Sequence, residues 1–360
     1  MANGAATAAS QKSGGVSEAE LAGRDDNPTF EVGVGRYPRA AITPEIRRLS
    51  TVSNWRSAVT IALQWIIILS AGTLAVWSGH WAVYILAGLV IASRQQALGI
   101  LVHDATHYLL FTNRTVNDIV SDLFCGFPVS ISTTRYRSTH FVHHRFTNTE
   151  QDPDLVLQRQ DPDWHWPKTR REALALFFRC VFALNLRGAA KAAMVWAPGS
   201  HMFDPITPAF PLRARVLFVL SSIVVWAVVI KAGLVVPALI LWVLPALTVL
   251  NITNRMRATA EHVMMPGTHE LNATRTVIPR AWERFFVAPL NINYHIEHHM
   301  FPSVPGRNLH RLHNVLMQDR EYRDHAHITH SYFGLHEGVI AELIEPAAAS
   351  SESRSPEPTA

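Results

Sequence analysis

Three histidine clusters in this chain are spaced for chemistry: His103-Asp-Ala-Thr-His107, His140-Phe-Val-His143-His144 and His295-Ile-Glu-His298-His299, each just outside a long apolar segment. Imidazoles at i, i+3 and i+4 share one face of a helix, so each cluster can present its nitrogens to a common point. Together they offer eight candidate ligands, enough for two metal ions. Nitrogen-only ligation suits iron, zinc, copper or nickel, and ligand type alone does not choose among them.

The elements that must position these side chains are membrane helices. The chain has 360 residues, 48% of them hydrophobic, and its mean hydropathy is positive, which points away from an ordinary soluble enzyme. Residues 56–78 are apolar after Arg56 and long enough to cross about 30 Å of hydrocarbon. Residues 81–102 are equally apolar except for Arg94, Gln95 and Gln96, and run directly into His103. Two more spans are expected at 213–231 and 233–252. The stretch 172–197 is interrupted by Arg179, Arg187 and Lys191, and reads as an amphipathic interfacial helix.

Crossing parity supports that count. With four spans an even number of crossings separates every pair of clusters, so all three lie on one side. A fifth span at 172–197 would strand the third cluster on the opposite face. Arginines 36, 39, 47, 48, 135, 137, 145, 170, 171, 255 and 257 flank the histidine side, whereas the two short connections opposite hold a single lysine. The histidine side and both termini are therefore expected to be cytoplasmic. The expected fold class is all-α, a four-span transmembrane helical bundle with a cytoplasmic helical cap holding a dimetal site. Spans two and four are expected to continue as helices past the membrane, since HDATH and NITNRMRATAEH follow them without Pro or Gly.

Composition excludes several other classes. Cys125 and Cys180 are too few for a disulfide framework or a built-in iron–sulfur cluster. The net charge of +4 belongs to residues beside the spans, which argues for a membrane surface and against nucleic acid. Residues 1–35 and 345–360 are expected to be disordered tails, with no signal peptide in the first, and a single domain is expected at 36–338.

The boxes HxxxH, HxxHH and HxxHH, in this order and with these spans between them, resemble the membrane fatty acid desaturase and hydroxylase family. The resemblance extends to RQQALGILVHDATH, to the stretch from HRFTNTEQDPD, to RATAEH and to NYHIEHHMFPSVPGRNLHRLH, and covers Arg36 to Gly338. It implies two irons, O2 as co-substrate and two externally supplied electrons that remove hydrogen from an unactivated methylene. Carried over, the ligands are His103, His107, His140, His143, His144, His295, His298 and His299, with His262 as a ninth and His269 as its fallback. Some members complete the site with an asparagine one turn before the ninth histidine. Here that position is Ala258, with Asn254, Asn291 and Asn293 as possible substitutes.

Ligating imidazoles usually donate their other N–H to a carboxylate or carbonyl. Asp104, Asp152, Asp154, Glu261 and Glu297 are nearest in sequence, with Asp152 and Glu261 favoured. His310, His313, His325, His327 and His330 are left out, the first two on an amphipathic surface helix. Trp164 and Trp166 are expected in an interfacial loop among headgroups, and Phe124, Phe127, Trp226 and Trp242 are candidates to line an acyl tunnel.

The implied substrate is an acyl lipid, an acyl-CoA or an acyl-carrier-protein ester, and the implied electron donor a separate ferredoxin or cytochrome b5 with its reductase. Arg135, Arg137, Arg170 and Arg171 are candidates to dock an acidic donor or lipid headgroups. Two alternatives stand beside desaturation: hydroxylation or ketolation of a lipid or carotenoid at the same site, and a histidine-rich membrane metal transporter or receptor. The second would place its ligands within the hydrocarbon, and here they cluster outside it.

Overall fold

The computed structural model describes residue 37 and residues 43–182, 184, 211–267, 269–334 and 336–344. Both expected tails, and the expected helix from 185 to 197, lie outside the described residues. In chain order, α1 (Thr43–Leu49) leads into a hairpin of two long helices, α2 (Asn54–Ser78) and α3 (Trp81–Thr106). Shorter helices follow: α4 (Arg114–Ser121), α5 (Thr133–Phe146), α6 (Pro153–Arg159) and α7 (Arg170–Val181). A second long hairpin comprises α8 (Leu212–Lys231) and α9 (Val235–His262). The remainder is β1 (Thr276–Ile278), α10 (Ala281–Phe286), α11 (His295–Met300), α12 (Gly306–Leu316), α13 (Arg320–His325), β2 (Ile328–His330) and α14 (Val339–Leu343).

Four of these helices, α2, α3, α8 and α9, are long and apolar enough to cross a membrane. The first hairpin turns in two residues. Gly79 takes φ +62°, which caps α2 through its N–H to Ala75 O, and His80 then caps α3 by accepting Ala82 N–H on Nδ1. Ile61, Ile68 and Ala75, seven residues apart, pack from α2 onto Ala87, Ile91 and Leu98 of α3. The lipid-side surfaces of α2 and α8 stay apolar and exposed, as at Leu69, Trp77, Ile223 and Val224.

The polar run inside α3 is buried, and each of its three side chains donates to a neighbouring element. Arg94 donates to Gln64 Oε1 of α2 at 3.0 Å and lies 4.6 Å from the Phe285 ring; Gln96 donates to Val287 O. Gln95 donates to Trp242 O at 2.9 Å. That carbonyl sits where α9 is wound as π-helix, at Leu239–Val243 and Ala246–Leu250 on either side of Pro245. Proline has no N–H, so the regular ladder cannot close there. These three side chains hydrogen-bond between helices and do not reach the histidines.

The histidine-bearing ends of α3 and α9 are each closed by a buried arginine. Arg137 of α5 donates to Ala105 O and Thr106 O at 2.9 and 2.8 Å, pairs with Asp118 at 2.6 Å and covers the Tyr108 ring. Arg275 donates to Ala260 O and Val263 O and pairs with Glu342 at 2.8 Å. Last-turn carbonyls have no helical partner, and these guanidiniums supply one. Arg135 is 2% exposed and Arg137 7%. This corrects the expectation that they form a docking surface: both side chains are buried, and that of Arg137 is spent on a helix end. Arg170 and Arg171 remain exposed.

Other departures have equally local causes. The fold is mostly helical but not all-α: β1 and β2 pair in parallel, Thr276 against Ile328 and Ile278 against His330. Three-residue strands are too short to show an alternating pattern in sequence. Of the expected helix over 172–197, the described part is α7, which runs from Arg170 to Val181 with Phe182 as its C-cap. Trp242 stacks on Trp65 and bonds Pro128 O, while Phe127 packs against Phe218. Phe124 and Trp226 are about half exposed.

Removing the Arg137 guanidinium would take its donor from Thr106 O and the counter-charge from the Asp118 carboxylate, which is 14% exposed, while Ala105 O keeps the donors Asn117 Nδ2 and Tyr108 N–H. Arg137→Met is expected to cost about 3 kcal/mol, read as a lowered thermal midpoint of the detergent-solubilised protein. An unchanged midpoint would show that α3 is closed by other donors.

Candidate metal centre

Four elements bring nine histidines together. α3 carries His103 near its C-terminus and His107 as its C-cap, α5 carries His140, His143 and His144, His262 is the last residue of α9, and α11 carries His295, His298 and His299. They fall into two groups: His103, His107, His140, His144 and His298, and His143, His262, His295 and His299. Within each group, ligand atoms lie within 4.8 Å of one another. The two HxxHH boxes divide in mirrored fashion. In α5 the i and i+4 members enter the first group and the i+3 member the second; in α11 the assignment is reversed.

Contacts inside the groups are those of nitrogens facing a common point. Nε2 of His140 is 3.0 Å from Nε2 of both His107 and His144, and Nε2 of His144 is 3.0 Å from that of His298. In the second group, Nε2 of His295 is 2.9 Å from His262 and 3.1 Å from His299. A neutral imidazole nitrogen carries either a proton or a lone pair, so one cannot both donate and accept. Hydrogen bonds of alternating direction could pair His107, His140, His144 and His298, but give no reason for all four to converge with His103 within 4.8 Å. Lone pairs turned toward a cation with metal–nitrogen distances of about 2.1 Å account for that convergence. His103 fits the same reading, since both of its ring nitrogens are buried without a hydrogen-bond partner.

Burial also keeps the imidazoles neutral. It pushes His107 down to about 3, helped by the nearby Arg137 guanidinium. Burial, and then repulsion from neighbouring imidazoles, holds His140, His144, His295, His298 and His299 well below the usual histidine range. Neutral rings keep the lone pairs that a metal needs. His143 is the exception. Burial opposes its charging, but Asp152 overrides this and raises it to about 9. Asp152 is correspondingly held below the usual carboxylate range by His143, against its own burial.

Among the five candidate carboxylates, Asp152 hydrogen-bonds a histidine of the two groups, with its oxygens 3.0 and 3.1 Å from His143 Nδ1. It also accepts the N–H groups of Asn148 and Asp154, which fixes it as the N-cap of α6. Glu261 lies 3.6 Å from His295 Nδ1 but is doubly paired with Arg257 at 2.8 Å. Asp104 is 4.0 Å from His103 Nδ1 and accepts Gly306 N–H. Glu297 points away from both groups.

None of the three candidate asparagines is shown in contact with either group. Ala258 stands one turn before His262, Asn254 is exposed, Asn291 donates to Gly306 O, and Asn293 donates to Val277 O. His269 stacks on His325 and caps its own turn through Leu271 N–H, because the chain leaves the helix after His262. His327 pairs with Glu342. His313 departs from expectation: α12 is amphipathic, but His313 lies on its buried face and binds Glu297.

A cavity of about 280 Å3 opens beside the second group, with His143, His262, Asp154, Gln158, Trp164 and Trp166 on its walls. Trp164 and Trp166 therefore sit against the site; Trp164 is stacked by Arg255 at 4.5 Å, and Trp166 packs with the core around Tyr332. Sequence gave no signal for this, since Arg255 is far from Trp164 in the chain.

Residues 79–332 match the family model described as fatty acid desaturase. Among curated proteins, the chain is 28% identical over 312 residues to the dihydrorhizobitoxine desaturase of Bradyrhizobium elkanii, covering 83% of this chain and 86% of that protein. It is 26% identical to the human sphingolipid delta(4)-desaturase/C4-monooxygenase, with 83% of each chain covered. Over 127 residues it is 28% identical to the sn-1 oleoyl-lipid 12-desaturase of Anabaena variabilis, covering 35% of this chain and 36% of that one.

Asp152→Asn would remove the anion that orients His143. It is expected to weaken metal binding by about 10- to 100-fold, measured by chelator competition. Undiminished affinity would mean that Asp152 serves only to cap α6.

Proposed function

The chain belongs to the fatty acid desaturase family, and from that premise we propose that this oxidoreductase is an integral-membrane non-heme diiron oxygenase that desaturates a fatty acyl chain with O2 and two external electrons. The observation that carries this reading is the division of nine histidines into groups of five and four with converging Nε2 atoms. His103, His107, His140, His144 and His298 would hold one iron, and His143, His262, His295 and His299 the other. Bound there, the metal pair supplies the oxygen-dependent oxidizing power needed to remove hydrogen from an unactivated methylene.

The protein's own part is to bind, orient and exclude water. Eight of the nine rings come from α3, α5 and α11 or their caps, and all but His107 and His262 are buried. Asp152 holds the His143 ring with Nδ1 toward the carboxylate, which turns Nε2 toward the second group. Burial of the imidazoles strengthens the electrostatic contacts made among them. The histidine side is assigned to the cytoplasm on the distribution of arginines. The acyl group is carried by a lipid, coenzyme A or a carrier protein, and a ferredoxin or cytochrome b5 with its reductase supplies the electrons.

Hydroxylation at the same site is a second reading, favoured by the human relative, which is named both a desaturase and a monooxygenase. Another relative is named for dihydrorhizobitoxine and not for a fatty acid, so the test must survey more than one substrate class.

Expression in a host of defined lipid content, followed by mass spectrometry of fatty acids, sphingoid bases and carotenoids, is expected to show a new double bond. A new alcohol would favour the second reading, and an unchanged profile in every class would overturn the acyl assignment. The purified protein is expected to hold about two irons per chain, and His143→Ala to lose both iron and activity. Full activity with zinc alone would overturn the diiron assignment.

A further inference from the structure

One short helix serves both histidine groups. α11 has six residues, too few to be stable alone, and gives His298 to the first group and His295 and His299 to the second. Each residue advances about 100° around a helix axis. A modest rotation of α11 would therefore displace three imidazoles and disturb both groups at once. Something outside the helix must set that rotation.

Glu297 lies in the same turn but on another side, since residues two apart do not face each other. It is 0% exposed. A carboxylate so buried persists only when it is hydrogen-bonded on all sides, and here it accepts from three separate elements. Tyr322 of α13 donates its hydroxyl to Oε1 at 2.7 Å, Thr276 of β1 donates to Oε2 at 2.6 Å, and Nδ1 of His313 on α12 contacts Oε1. Thr276 Oγ1 also accepts the Ile296 N–H at 3.2 Å, in the first turn of α11. Neither His313 nor Tyr322 belongs to a histidine group.

We propose that Glu297 is a positioning residue for both groups: latched by His313, Tyr322 and Thr276, it fixes the rotation of α11 and hence the placement of His295, His298 and His299. The proposal rests on the two-iron reading. A carboxylate is required because it accepts from three donors with two oxygens. The amide of glutamine turns one of those positions into a donor facing a donor.

The test compares full-length wild-type protein with Glu297→Gln, His313→Gln and Tyr322→Phe, each purified in detergent and loaded with ferrous iron. Iron per chain, the Mössbauer spectrum and the thermal midpoint of the metal-free protein are read for each. Glu297→Gln is expected to fall from about two irons to one or fewer per chain, or to hold iron with an altered spectrum. Tyr322→Phe, which keeps the ring and removes one bond, is expected to fold and to show a smaller change of the same kind. If Glu297→Gln does not fold, the Tyr322→Phe and His313→Gln spectra decide. Variants that melt lower yet keep wild-type iron content and spectrum would overturn the proposal, reducing Glu297 to packing support. Wild-type protein that binds no iron would instead overturn the two-iron reading, and the proposal with it.

Discussion

Nine imidazoles crowded into a largely dry space, with ring nitrogens about 3 Å apart, impose the constraint on which this structure depends. Hydrogen bonds among neutral rings do not account for that convergence, and His103 has no hydrogen-bond partner on either nitrogen. Turned toward two cations, the ring lone pairs become mutually supportive. Burial then works in favour of the site, since it keeps the rings deprotonated and available. The arrangement calls for rigid support from every element that carries a histidine.

That support comes from buried charge placed at helix ends and helix backs. Arg137 closes α3 and Arg275 closes α9, each held by its own carboxylate, so the two long histidine-bearing helices stop at defined points. Asp152 joins the second box to the start of α6, and Glu297 joins the third box to α12, α13 and β1. Buried ion pairs are poor sources of stability but leave few alternative arrangements. Inside the bundle, Arg94, Gln95 and Gln96 follow the same rule, each finding an oxygen on another element.

Much of this was legible in the chain. The long helices follow from apolar runs, broken in α3 by Arg94, Gln95 and Gln96 and by His103-Asp104, and four such helices are found among the described residues. The boxes are visible as residue types at helical spacing beside those runs, and His262 through the family resemblance. Less legible were interactions between residues distant in sequence. Arg137 reads as a surface cation until α3 ends beside it, and His313 reads as a polar position on a surface helix until Glu297 meets it. Trp164 lacks meaning without Arg255, and the β1–β2 pair is too short to carry a period of its own.

The sequence by itself determined which residues could bear metal, how many long apolar helices there are, and that the histidines stand just beyond their ends, because those properties are local: side-chain chemistry, spacing and hydropathy. Only the tertiary structure decided how the histidines divide. His143 parts from His140 and His144, and His298 from His295 and His299, since a box offers nitrogens to both sides of its helix and only the packing of α3, α5, α9 and α11 fixes which point each one faces. It likewise decided that Glu297 meets His313, Tyr322 and Thr276 and neither histidine group, because those partners lie on elements distant in sequence.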